Sequence, residues 1–317
     1  MGRRDVLIIA WIRGNARTED LGAWLGAEVL FMPWAWPGLP LRRRLASWLR
    51  SSAETVRAVR RRRRATIVVV EPPVFAPICA WAARRPGSRL FLDLHSGVLI
   101  APNWAWARPL LRFVARRVDG VIATNRETLQ GLDLAGTPSY VLHDPIWARP
   151  RSGPGGKGTR TDPYVLFPAS DNPDEPLNLV EEVGRRLDGI PLIKVSGQVH
   201  RPDSAGVEYV GYLPRTDYED LLAEASAVLS LTEWEATMQR SAYEAIETAV
   251  PVVALDRRVL RETMDGGGAV FASADPGEVA RAIRYALAHR DELARLTARS
   301  RERFREGSEV VKEVLLG

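Results

Sequence analysis

The residues with the clearest chemical potential stand between Thr232 and Pro251, which read TEWEATMQRSAYEAIETAVP. The apolar run Ala227–Leu231 predicts a buried strand, Thr232–Met238 the loop at its carboxyl end, and Gln239–Ala249 an amphipathic helix with Ala242, Ile246 and Ala249 on one stripe. Pro251 then ends the helix and Val252–Leu255 forms the next buried strand. A helix that starts at the mouth of a sheet presents unpaired N–H groups and the positive end of its dipole, which suits a diphosphate. Arg240 and Ser241, in the first turn, add a positive charge and a hydroxyl donor. Glu244, one turn further in, is placed to accept two hydroxyls of a ribose. The plainer reading is an acidic amphipathic helix with no site.

Two loops in the first half of the chain could also do chemistry. Arg13-Gly14-Asn15-Ala16-Arg17-Thr18 follows the first apolar run and combines a glycine with two arginines, a set that admits close backbone approach by an anion. It lacks the G-x-G-x-x-G dinucleotide pattern, and a solvated basic loop is the alternative. Asp93-Leu94-His95-Ser96-Gly97 places a carboxylate and an imidazole at the end of another run, where either side chain could move a proton or serve structure alone. A third feature is basic: ten arginines stand between Arg42 and Arg64, threaded by Leu41, Leu45, Trp48, Leu49, Val56 and Val59 at helical spacing. Trp34 and Trp36 precede it, and Asn103-Trp104-Ala105-Trp106 adds a second tryptophan pair. That combination suits an anionic membrane surface; a core-packed helix with a solvated arginine face is the alternative. The four histidines (95, 143, 200 and 289) show no ligand spacing and the single cysteine, Cys79, can build neither a disulfide nor a cysteine cage, so no metal site is expected.

Positioning these residues requires α/β structure. Twelve short apolar runs alternate with helical patterns, which predicts parallel sheets with ligands at the strands' carboxyl ends. The expected strands are Asp5–Trp11, Glu28–Met32, Thr66–Glu71, Arg89–Asp93, Val118–Thr124, Tyr140–His143, Tyr164–Pro168, Leu192–Val195, Val207–Val210, Ala227–Leu231, Val252–Leu255 and Ala269–Phe271. Between them Ala148–Pro163 (ARPRSGPGGKGTRTDP) has no apolar period and reads as a linker. The chain thus divides into a first domain (1–147), a linker (148–163) and a second domain (164–317), with the last helix free to pack back on the first domain.

Composition bounds the partners. The chain has 317 residues, 46% apolar and 26% charged, with a net charge of +5 carried almost wholly by arginine, since Lys157, Lys194 and Lys312 are its only lysines. Such a surface favours anions. No run approaches the ~20 apolar residues that span a bilayer, and Val6–Ile12 reads as a strand and not a signal peptide. The expected location is cytoplasmic, or peripheral at the inner face of the membrane.

The stretch Glu244-Ala245 through Pro251-Val252-Val253 resembles the donor-binding motif of retaining GT-B glycosyltransferases, glycosyltransferase family 4 and its bacterial relatives in particular. The resemblance implies a GT-B fold of two Rossmann-like doubly wound domains, and transfer of a hexose from a UDP- or GDP-linked donor to a glycan, a lipid-linked sugar or a small molecule, without metal or other cofactor. It implies that Glu244 holds the donor ribose, that the backbone near Thr237, Met238 and Gln239 faces sugar and diphosphate beside Arg240 and Ser241, and that the loop Val210-Gly211-Tyr212-Leu213-Pro214 passes the base, with Tyr212 or Leu213 in contact with it. It implies too that Gly14, Asn15 and Arg17 meet the acceptor or diphosphate and that His95 hydrogen-bonds the donor sugar; in an inverting enzyme Asp93 or His95 would be the general base. The sequence departs from the pattern at three places. Ala236 stands where the family has its sugar-reading glutamate, so Glu235 would serve after a shift of one residue. Ala249 stands for the family's glycine, and Ala169–Pro176 (ASDNPDEP) replaces its basic pair. The rival readings are a nucleotide-sugar epimerase of the same fold and a non-catalytic basic protein that binds lipid or nucleic acid, nucleic acid being the less expected partner.

Overall fold

A computed structural model describes residues 5–32, 40–100, 102–134, 136–148, 163–170, 172–188, 191–264 and 266–317. Trp34, Trp36 and positions 149–162 of the expected linker lie outside the described residues, as do the side chains of Asn103 and Trp104.

The strands are β1 (Val6–Ala10), β2 (Glu28–Phe31), β3 (Thr66–Glu71), β4 (Arg89–Leu94), β5 (Gly120–Ala123), β6 (Ser139–Val141), β7 (Tyr164–Ala169), β8 (Leu192–Gly197), β9 (Val207–Gly211), β10 (Ala227–Ser230), β11 (Val252–Leu255) and β12 (Ala269–Ala272). The helices are α1 (Ala16–Leu25), α2 (Leu41–Arg60), α3 (Phe75–Ala83), α4 (Gly97–Ile100), α5 (Arg108–Ala115), α6 (Arg126–Gly131), α7 (Leu177–Arg186), α8 (Arg215–Glu224), α9 (Arg240–Thr248), α10 (Arg258–Thr263), α11 (Pro276–Ala288) and α12 (Arg290–Leu316). They form two six-stranded sheets, ordered β2-β1-β3-β4-β5-β6 and β12-β11-β10-β7-β8-β9. Every ladder is parallel. Parallel strands covered by helices on both faces need apolar side chains throughout, which is why β1 (VLIIA) and β10 (AVLS) are buried at every position.

The chain divides into two compact units, residues 1–149 with 306–317 and residues 150–305. In the first unit one face of the sheet packs Leu7, Ile9, Ile67 and Leu92 under α2, α3 and α5, and the other packs Ile8, Val68 and Phe91 against Leu21 and Trp24 of α1. The end of α12 belongs to this second face: Val311 and Leu315 are buried in it, Thr66 Oγ1 donates to the Leu315 carbonyl at 2.7 Å and Arg89 Nη1 to that of Val314 at 2.6 Å. In the second unit the core gathers Val165, Phe167, Val180, Ile193, Leu229, Val253 and Ile283.

Strand order fixes where each sheet opens. The sheet of the second unit runs through β9-β8-β7-β10-β11-β12, so the chain's crossovers reverse direction between β7 and β10. In the first unit they reverse between β1 and β3. At such a reversal the flanking helices lie on opposite faces and leave a crevice outside the carboxyl ends of the two strands.

Candidate functional site

The crevice of the second unit is lined by the segment after β7 and by residues 231–239 after β10, which lead directly into α9. Thr232 Oγ1 donates to Asp174 Oδ2 at 2.5 Å and Glu233 N to the Asp174 carbonyl at 3.0 Å, so one buried aspartate ties the two loops together. Ser230 Oγ donates to Gln239 Oε1 at 3.1 Å, which holds the residue before α9 against the end of β10. Gln239 is extended (φ −67°, ψ 144°) and its side chain caps none of the first N–H groups of α9, of which that of Ala242 donates to the Gln239 carbonyl at 3.1 Å. Around this helix start Thr237 Oγ1 and Ser241 Oγ are buried and make no hydrogen bond. A buried hydroxyl without a partner costs about 1–3 kcal/mol. Two of them beside uncapped N–H groups form a cradle of donors that an anion would satisfy.

Glu244 lies one turn along, half-buried. Its Oε1 accepts from Arg240 Nε at 2.8 Å and its Oε2 from Tyr218 Oη at 2.5 Å. Burial first, then the charge and hydrogen bond of Glu244, push the Tyr218 phenol well above its usual range, so it stays a donor at any physiological pH. Tyr218, on α8, was not legible as a site residue, because nothing in the local sequence marks a tyrosine whose partner lies 26 positions away. The helix ends in a Schellman turn: Val250 N donates to the Ala245 carbonyl at 2.9 Å and Ala249 N to that of Ile246 at 3.2 Å. Ala249 thereby takes the left-handed conformation (φ 58°) that a glycine would adopt without strain.

The other expected residues of this unit are placed as follows. Met238 is half-buried in the same loop. Tyr212 is 72% exposed and Leu213 is half-buried, both just beyond β9, where Gly211 turns the chain at φ 69°. Glu235 is turned away from the start of α9: its Oε2 accepts from Arg258 N at 3.0 Å and its Oε1 from Arg257 Nη1 at 3.3 Å. It caps α10, so the expectation that it replaces the glutamate absent at position 236 is corrected. Ala236 is itself buried.

In the first unit the expected anion loop behaves differently. Arg17 is 5% exposed and fully committed: Nη2 and Nε donate to Asp93 Oδ1 and Oδ2 at 2.8 and 3.2 Å, and Nη1 to Asp144 Oδ1 at 2.7 Å and the Leu142 carbonyl at 3.1 Å. Asn15 caps α1, its Oδ1 accepting from Thr18 N at 3.0 Å and Thr18 Oγ1 at 3.2 Å. Gly14 is exposed, and a Cβ there would meet only Glu19 Oε1, at 3.8 Å, so no close approach demands the glycine. Arg17 is therefore a clamp joining α1 to the ends of β4 and β6, and the expectation that it meets an acceptor or diphosphate is corrected.

Asp93 is corrected likewise. It is fully buried, with both oxygens held by Arg17. Burial alone would push its carboxyl up; the Arg17 guanidinium, with a smaller contribution from His95, outweighs that and holds it well below the usual carboxylate range. A group so fixed cannot serve as a general base near neutrality. His95 keeps a free side: it is 25% exposed, its Nε2 stands 3.5 Å from Asp93 Oδ2 without forming a hydrogen bond, and its backbone N–H donates to the Glu71 carbonyl at 3.2 Å. Two more titratable groups border this edge and were not singled out from sequence. His143 is held neutral, its pKa lowered to about 4 by burial and by the charge of Arg17. Glu71 ends β3 at 1% exposure with no partner on Oε1, and burial pushes its carboxyl well above the ordinary value. A single glutamate closing the run TIVVVE before two prolines was the available signal. Among the described residues no group of three or more His, Cys, Asp or Glu could hold a metal ion.

Two doubly wound parallel sheets, one with an anion-receptive helix start at its switch point, are the architecture of the GT-B glycosyltransferases. Residues 176–312 match the family model described as glycosyl transferase-like. Among solved structures the fold is similar to that of HepE from Anabaena in complex with UDP (14% identity, TM-score 0.70, covering 98% of this chain and 99% of that one). It is similar also to α,α-trehalose 6-phosphate synthase from Burkholderia multivorans (10%, 0.67, 99% and 96%) and to sucrose-phosphate synthase from Thermosynechococcus elongatus (15%, 0.67, 98% and 97%). No curated protein matches the sequence at a significant level. The chain thus has the fold of the GT-B class, and residues 176–312 match a glycosyl transferase-like family model.

Proposed function

We propose that the protein transfers a hexose from a UDP- or GDP-linked donor, with the donor diphosphate at the start of α9 and the ribose on Glu244. The observation that carries this reading is the pair of buried, unpartnered hydroxyls, Thr237 Oγ1 and Ser241 Oγ, beside the uncapped N–H groups of that helix. HepE of the same fold is described in complex with UDP-glucose, which supports the nucleotide sugar as the ligand class. In the reaction the bond from the anomeric carbon to the diphosphate oxygen breaks and a bond to the acceptor oxygen forms. The acceptor's proton passes to the departing diphosphate, whose growing charge meets the helix start, Arg240 and the two hydroxyls. Such stabilisation asks for no metal. Tyr218 and Arg240 position Glu244, and Tyr212 offers an exposed ring to the base. The resemblance to family 4 favours retention of configuration, with His95 on the sugar.

A nucleotide panel read by thermal shift tests the proposal. UDP or GDP at about 100 times its Kd should add about 2.7 kcal/mol of stability, several degrees in Tm. Glu244→Ala should keep the fold and lose that response. A variant stabilised as strongly as the wild type would remove the ribose role.

A further inference from the structure

Among the described residues the first unit exposes seven large apolar side chains, and five of them cluster by topology: Ile12 just after β1, Leu41, Leu45 and Leu49 on the opening turns of α2 after β2, and Trp106 after β4 and α4. All five therefore stand toward the carboxyl edge of that sheet, the edge that carries His95. Leu41, Leu45 and Leu49 are 64, 45 and 72% exposed, and at i, i+4 and i+8 they form one stripe. The sequence predicts this stripe continuing into Val56 and Val59. The structure divides it: Ser51, Thr55 and Val59 carry the buried face of α2, while its first half leaves the leucines uncovered. Trp48 packs on Phe75 (centroids 5.4 Å apart) and Phe75 on Trp106 (6.1 Å), which joins the stripe to the 61% exposed indole of Trp106.

Arginines outnumber carboxylates around this cluster, where Glu54 pairs with Arg50 and Glu19 lies beside Gly14. Residues 12–14, 41–50 and 102–108 contain no Asp or Glu, and Arg13, Arg42, Arg43 and Arg50 among them are exposed. No helix among the described residues is long and apolar enough to cross a membrane. An uncovered leucine stripe and an indole, bordered by an excess of arginines, match the interfacial layer of an anionic bilayer in both polarity and charge. Nucleic acid would satisfy the arginines and leave the leucines without a role.

We propose that this edge of the first unit docks on anionic lipid bilayers, with Leu41, Leu45, Leu49 and Trp106 entering the interface and the arginines on the headgroups. On the glycosyl-transfer reading, an acceptor hydroxyl carried by a bilayer amphiphile would meet the strand ends around His95. The test is co-sedimentation of the full-length protein with phosphatidylcholine vesicles, with and without phosphatidylglycerol, alongside binding to a single-stranded oligonucleotide. The wild type should pellet only with the anionic vesicles. Leu41→Ser/Leu45→Ser/Leu49→Ser should weaken that binding at least ~10-fold through lost apolar insertion, with circular dichroism and the UDP or GDP thermal shift unchanged. Absence of wild-type binding, undiminished binding by the leucine variant, or an affinity for the oligonucleotide above that for anionic vesicles would each overturn the proposal. None of these outcomes bears on the donor site, which the nucleotide response reports separately.

Discussion

Removing the Arg17 guanidinium should be among the most damaging single changes in the first unit, and its pH dependence reveals why. Arg17→Met keeps an unbranched apolar stem and deletes four hydrogen bonds, two to Asp93, one to Asp144 and one to the Leu142 carbonyl. Asp93 is then a fully buried carboxylate without a counter-charge, a change that costs roughly 3–5 kcal/mol. In the wild type the folded pKa of Asp93 is depressed, so its contribution is complete above the ordinary value of 3.8 and is lost as pH falls through the folded value. In the variant burial dominates, the folded pKa lies above the unfolded one, and protonation relieves the fold as pH falls. The stability gap between wild type and variant, read from urea unfolding followed by circular dichroism, should therefore narrow between about pH 7 and pH 5. His143, held neutral in the wild-type fold down to about pH 4 by burial and by the charge of Arg17, becomes more basic in the variant and narrows the gap in the same direction as pH falls. Adding Asp93→Asn should recover about 2 kcal/mol, because the stranded charge is gone. A gap below ~1 kcal/mol, or one that stays constant with pH, would refute the buried clamp.

Two further outcomes follow from single groups. Glu71 has a raised folded pKa, so the stability it contributes is present below the unfolded value near 4.5 and declines as pH rises toward the folded one; Glu71→Gln, which carries no titrating proton, should gain on the wild type steadily above that pH in denaturation curves. Ala249→Gly should stabilise the second unit by about 0.5–1 kcal/mol, since relief of ~1–2 kcal/mol of left-handed strain exceeds the entropy that glycine adds to the unfolded chain, and a rise in Tm measures it.

Much of the fold was legible because parallel sheets announce themselves. Runs such as VLIIA, TIVVV and VVAL are continuous apolar segments between turn signals, and all twelve expected strands recur with their ends within two residues. The expected last helix carries a weak apolar period for a physical reason. The inner face of α12 is built partly from buried Thr297, Ser300 and Ser308, so its apolar period is broken where it packs. The start of α9 could be read because helix, loop and following strand agree locally. Arg17 could not, because its partners Asp93 and Asp144 lie 76 and 127 positions away and convert an apparent anion loop into a buried clamp. Glu235 misled in the same way: an acidic residue near the expected register is taken up by the N-terminus of α10. Isolated hydrogen-bonding residues declare their type in sequence, while their partners are set by tertiary approach.

The claim that the start of α9 holds a diphosphate is tested most directly by titration calorimetry of the preferred nucleoside diphosphate, and of its nucleoside, with the wild type and with Thr237→Val/Ser241→Ala. Each lost hydrogen bond to a charged ligand is worth about 1.5–3 kcal/mol. The variant should therefore bind the diphosphate at least ~100-fold more weakly, while its affinity for the nucleoside, which carries no phosphate to reach these hydroxyls, stays at the wild-type value. Equal weakening of both ligands, or undiminished binding of the diphosphate, would contradict the assignment.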